Sequence, residues 1–98
     1  MNKLRNRPRN TRLYEAILSL ETVEECMAFF DDLCARTELA AIEQRFEVAS
    51  YLNEGMIYTD ILDRTGASSA TISRVNRSLQ DGRGAYRMVF DRLEAKGK

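Results

Sequence analysis

The densest group of chemically useful side chains in this 98-residue chain lies between Gly66 and Gln80. Its hydroxyl-bearing and cationic members are Ser68, Ser69, Thr71, Ser73, Arg74, Arg77 and Ser78, and the run from Ala67 to Gln80 contains no acid. Hydroxyls and guanidiniums bind and neutralise a polyanion; alone they do not break covalent bonds. At about 100° per residue on a helix, Ala70, Ser73, Arg74 and Arg77 share one face, flanked by Thr71 and Ser78. Ile72, Val75 and Leu79 fall on the other side. A narrow, hydroxylated, cationic face is what entry into a DNA major groove requires. Small side chains allow close approach to base edges, Ser and Thr donate or accept, and arginine pairs with guanine in two places. The helix N-terminus at Ser68 or Ser69 also suits a phosphate.

Catalytic chemistry finds little to work with. The chain has no histidine, so the usual general base and the commonest metal ligand are missing. The two cysteines, Cys26 and Cys34, make neither a zinc site nor a disulfide on one helix, where they stand about 12 Å apart in rise. They read as small apolar core residues in a reducing, cytoplasmic setting. Asp31 and Asp32 are neighbours, about 100° apart on a helix, and form no carboxylate dyad. We therefore expect no enzyme, no metal and no cofactor. No apolar run is longer than that of Met27-Ala28-Phe29-Phe30, far below the roughly 20 residues of a membrane span, and no signal peptide is visible.

The binding face needs elements to hold it. No segment alternates with period two, so the expected class is all-α. Tyr58 to Thr65 reads as a short helix, with Ile61 and Leu62 facing inward. Gly66 supplies a left-handed turn, and the next helix runs over Ser68–Gln80. Two short helices about a glycine turn are the helix-turn-helix pattern, here about residues 58–80. Tyr58 and Thr59 open its first helix and are candidate phosphate contacts. Upstream, Leu13, Tyr14, Ile17 and Leu18 give one helical stripe. A second helix starts near Thr22, with Thr22 and Glu25 as a capping box. Its stripe is Val23, Cys26, Met27, Phe30, Leu33 and Cys34, and Phe29 lies off it. Thr37 is placed to cap a third helix that runs to about Glu54 and ends at Gly55. Asp81-Gly82-Arg83-Gly84 breaks the chain before a last helix with Tyr86, Val89, Phe90 and Leu93. Apolar residues on more than one side of the third helix, and the off-stripe Phe29, ask for more cover than a small monomer supplies. Both point to a homodimer.

Lys+Arg and Asp+Glu number 15 each, a balance that hides a partition. Residues 1–12 carry Lys3, Arg5, Arg7, Arg9 and Arg12 and no acid, and read as a flexible basic arm. Residues 13–66 hold twelve acids against three arginines, and residues 67–98 seven basic residues against three acids. A chain basic at both ends offers a polyanion two contact surfaces, and such arms reach phosphates or the minor groove. Residues 13–98 read as one helical domain.

The run Gly66-Ala67-Ser68-Ser69-Ala70-Thr71-Ile72-Ser73-Arg74 resembles the recognition-helix segment of the Trp-repressor-like family. Arg45 through Gly55 resembles the long helix before it. The likeness spans roughly residues 10–95 and is strongest to the short bacterial YerC/YecD-type branch. It implies an intertwined all-helical homodimer that presents two recognition helices to DNA. In the tryptophan repressor the corepressor lies between two arginines, which correspond to Arg45 and Arg74, with a serine at the position of Ser78. Glycine follows the second arginine there. Val75 stands here, and its branched side chain is expected to take up the indole's space. The Gly55-to-Gly66 spacing is also one residue shorter. Tryptophan is therefore not an expected ligand, and Arg45 reads more simply as a salt-bridge residue beside Glu43 and Glu47.

Together these features imply a sequence-specific DNA-binding transcriptional regulator, a repressor, acting as a homodimer on a palindromic operator with half-sites about 34 Å apart. Its contacts would come from Ser68, Ser69, Ala70, Thr71, Ser73, Arg74, Arg77, Tyr58 and Thr59. The rival reading is a helical interaction module whose basic face docks an acidic protein.

Overall fold

The computed structural model describes residues 7–97. These form α1 (Thr11–Leu18), α2 (Val23–Leu33), α3 (Arg36–Asn53), α4 (Tyr58–Thr65), α5 (Ser69–Asp81) and α6 (Ala85–Lys96), with no strand among the described residues. The chain divides into two compact units, Met1–Arg36 and Thr37–Lys98.

In the first unit, the Asn10 side chain caps α1 by accepting from the Leu13 N–H at 3.3 Å. Thr11 and Arg12, expected in the arm of residues 1–12, are already helical. Arg9 is also held: its Nη2 donates to the Tyr14 hydroxyl at 2.8 Å and its guanidinium lies 5.2 Å from the Tyr14 ring centre. Lys3 and Arg5 lie outside the described residues. Thr22 caps α2 by accepting from the Glu25 N–H at 3.0 Å. The return bond differs from the expected box, for the Glu25 carboxylate accepts from the Glu21 N–H, at 2.8 Å, and not from Thr22. The covered face of α2 is also rotated from its expected stripe. Phe29 is half-buried, with its ring edge-on to Phe30 at 5.8 Å, while Val23, Met27 and Leu33 are exposed. Cys26 and Cys34 are free thiols, both half-buried.

The second unit is built round α3. This helix begins at Arg36, so Thr37 lies inside it and does not cap it. It ends in a Schellman motif: Gly55 takes φ 89°, its N–H donates to the Leu52 carbonyl at 3.0 Å, and the Met56 N–H donates to the Tyr51 carbonyl at 3.0 Å. Val48 and Ala49 from α3, Ile61 from α4, Ala67 from the turn, and Ile72 and Val75 from α5 form the core. Tyr51, Leu52, Met56, Leu62, Tyr86 and Phe90 pack against it. The six core residues and Leu79 are the buried ones, and no polar or charged side chain among the described residues joins them. From α6, Phe90 lies 5.4 Å from Phe46 and 6.0 Å from Tyr86, ring centre to ring centre.

Candidate nucleic-acid interface

The short pair α4–α5 owes its geometry to Thr65 and the three residues between the helices, Gly66, Ala67 and Ser68. Gly66 adopts φ 71°, which disfavours a side chain, and its N–H closes α4 on the Leu62 carbonyl at 2.9 Å. The Thr65 hydroxyl donates to the Ile61 carbonyl at 2.7 Å and accepts from the Ala67 N–H at 3.1 Å. Gln44, on α3, donates from Nε2 to the Thr65 carbonyl at 3.1 Å. Ala67 is pressed into the core at 2 % exposure. Ser68, rather than Ser69, caps α5: its Oγ accepts from the Thr71 N–H at 3.1 Å and stands 3.0 Å from the Thr71 hydroxyl.

This frame fixes which way α5 faces. Ile72, Val75 and Leu79 are 0 %, 3 % and 6 % exposed and bind it to the core. Ser69, Ala70, Ser73, Arg74, Arg77 and Ser78 are exposed on the other side, and Thr71 is half-buried between the two. Ser68 is exposed at the N-terminal tip. No ion pair involves Arg74 or Arg77 among the described residues. Tyr58 and Thr59 are exposed in the first turn of α4, whose N-cap residue Ile57 offers no side-chain cap. The N–H groups of that turn and the Thr59 hydroxyl lie at the same terminus.

The residues matched to a corepressor site fall differently. Ala41, Gln44, Arg45, Thr71 and Arg74 line an open cleft of about 120 Å³ between α3 and α5. Ser78 is not in that lining, and neither is Val75, whose isopropyl group belongs to the core. The cleft is therefore bounded by α3 and by Thr71 and Arg74, and is small against the about 300–1,000 Å³ of ordinary ligand sites. Arg45 makes no ion pair with Glu43 or Glu47 among the described residues, contrary to the salt-bridge reading. Helical spacing marks Ala41 as an apolar face residue of α3 and not as part of a site, and it does not single out Gln44. The place of Ala41 in the cleft was within reach, since it stands four residues before Arg45 and so shares its face. Gln44 carried no signal, for its partner is a backbone carbonyl 21 residues away.

Nothing in this arrangement resembles a reaction centre. No group of three or more metal-ligating side chains occurs among the described residues. What remains is an exposed surface of hydroxyls and arginines on a rigidly seated helix. Comparison with known proteins agrees with that geometry. The chain matches the family model of the Trp repressor protein over residues 10–94. The chain belongs to the Trp repressor family. This is a family of helix-turn-helix DNA-binding regulators, a transcription-regulator type and not an enzyme type. Among relatives, the chain is 49 % identical over 94 residues to an uncharacterized protein, YerC, of Bacillus subtilis (strain 168), covering 96 % of this chain and 89 % of YerC. A crystal structure of a candidate Trp repressor from Staphylococcus aureus superposes with a TM-score of 0.84 at 48 % identity, covering 88 % of this chain and 89 % of that one. A TrpR-like protein from Eubacterium eligens ATCC 27750 does so at 0.83 and 51 % identity, with 86 % and 87 % covered. The six helices among the described residues of this Trp repressor family member match those structures in fold. No helix among its described residues is long and apolar enough to cross a membrane.

Proposed function

We propose that this protein is a sequence-specific transcriptional repressor that reads a palindromic operator as a cytoplasmic homodimer. The observation that carries the reading is the orientation of α5. Its aliphatic side is buried, and Ser69, Ala70, Ser73, Arg74 and Arg77 are left to solvent without an acidic partner among the described residues. In this reading α5 enters the major groove with its N-terminal turn foremost. Ala70 admits close approach; Ser69, Thr71 and Ser73 meet base edges; Arg74 and Arg77 take guanines or phosphates. Ser68, Tyr58 and Thr59 bind the flanking phosphates through hydroxyls and helix N-termini.

Dimerisation is supported by apolar surface that one chain leaves open. Leu18 is 85 % exposed, Val23 69 % and Met27 61 %, and α6 shows Met88, Val89 and Leu93. Phe46, Ala85, Tyr86 and Val89 also line an apolar hollow of about 240 Å³. Operator binding is proposed to need no small-molecule effector; the cleft between Arg45 and Arg74, open and about 120 Å³, lies below the about 300–1,000 Å³ of ordinary ligand sites.

The test is selection of duplexes from a random library with the full chain. Enrichment of a two-fold-symmetric site is the expected result. Binding that never discriminates between sequences overturns the proposal and favours an acidic protein partner.

A further inference from the structure

We infer that Gln44 is a positioning residue for DNA reading: its amide ties the turn of the helix-turn-helix to α3 and so sets the tilt of α5. The inference rests on the DNA-binding reading above.

The inner side of α3 changes character along its length. Val48 and Ala49 are fully buried, and they anchor α4 and α5 through apolar contact. One turn earlier, Gln44 is half-buried, and Ala41 and Arg45 are exposed beside the open cleft. Apolar contact is non-directional and resists separation better than it resists sliding or rotation. At the Val48–Ala49 end, then, the α4–α5 pair is held in place. At the cleft end it lacks that packing, and there Gln44 Nε2 donates to the Thr65 carbonyl at 3.1 Å.

The receiving end of that bond is stiff. Thr65 is fixed through its hydroxyl to both Ile61 and Ala67, Gly66 is locked on Leu62, and Ser68 is locked on Thr71. These turn bonds stay within the segment Ile61–Thr71, whereas the Gln44 bond arrives from another helix. Displacement at Thr65 therefore passes along the turn to the N-terminal tip of α5, where Ser69, Ala70 and Ser73 stand. Base readout tolerates little angular error, about 10–20° for a functional constellation. Phosphate contacts made by long arginine side chains tolerate more.

That difference separates a positioning role from a merely structural one. Gln44→Met keeps the length and approximate volume of the side chain and removes the donor. Two duplexes serve as probes: the site selected with the native full-length protein, and a random-sequence duplex of equal length. Gln44→Met is expected to lose about tenfold in affinity for the selected site, the scale of one hydrogen bond. Its affinity for the random duplex and the salt slope on that duplex should stay unchanged, since every cation is retained. Amide exchange at Gly66 and Ala67 should quicken, while thermal unfolding confirms that the variant is folded. A parallel loss on both duplexes indicates simple destabilisation and overturns the inference. So does unchanged discrimination between them. If the native protein binds no duplex at all, the DNA-binding reading fails first and this inference falls with it. If native discrimination is intact and the variant matches it, only the role of Gln44 is lost.

Discussion

At the scale of single residues, Arg74 and Arg77 differ although they share a face. Arg74 borders the cleft shared with Arg45 and Thr71, while Arg77 stands one turn further along α5 and lines no part of it. Arg77 is the simpler cation: Arg77→Ala should weaken binding to all sequences and lower the slope of log affinity against log salt by about 1. Arg74→Ala should in addition relax base preference, with a loss of about 1–3 kcal/mol on the selected site if it pairs with a guanine. Gel-shift titration at several salt concentrations checks both. The chain contains no tryptophan, so its own emission comes from tyrosine and phenylalanine. Titration with free L-tryptophan should therefore leave no signal beyond that of the free amino acid, which would agree with the size of the cleft. Most of the exposed face was legible from residue type, because Ser68, Ser69, Ala70, Thr71, Ser73, Arg74 and Arg77 are all small or cationic and no acid stands among them. Gln44 was not legible, as its importance lies in a contact that helical spacing does not encode.

At the scale of elements, the turn between α4 and α5 is the most sharply specified piece of the molecule. Gly66 has open space where a Cβ would stand, so the cost of a side chain there is conformational and not steric. Gly66→Ala should destabilise the fold by about 1–2 kcal/mol, the penalty for a left-handed L-residue, as read from denaturant midpoints. Gly82 is the reverse case. Its backbone is extended, but an added Cβ would collide with the Ser78 carbonyl oxygen, so Gly82→Ala should unwind the end of α5. The glycine breaks and the inward positions Ile61, Ile72, Val75 and Leu79 were readable because periodicity and turn chemistry agree there. The start of α3 was not. Thr37 has the right type for a cap, yet only Cys34 and Ala35 separate α2 from α3, and the helix is already under way at Arg36. The covered side of α2 was also misplaced, since its apolar arc is broad enough to include Phe29 as well as Val23 and Met27, and spacing alone does not choose which edge of that arc is covered.

At the scale of the whole molecule, apolar surface outside the core carries the case for a second copy. Leu18→Asp alters a side chain that is 85 % exposed in the single chain, so the fold of one chain should tolerate it. If Leu18 is covered in a dimer, the same change should shift sedimentation towards monomer at concentrations where the native protein is dimeric, and operator affinity should fall with it. Stability and nucleic-acid affinity should also respond separately to ionic strength. The buried set is Val48, Ala49, Ile61, Ala67, Ile72, Val75 and Leu79, aliphatic throughout. Raising salt screens exposed charges but removes nothing from such a core. Melting temperature should thus drift only slightly across a range, about 50–200 mM, in which duplex affinity collapses. Added electrolyte becomes a clean dial: it releases the polyanion and leaves its receptor intact for another cycle of capture.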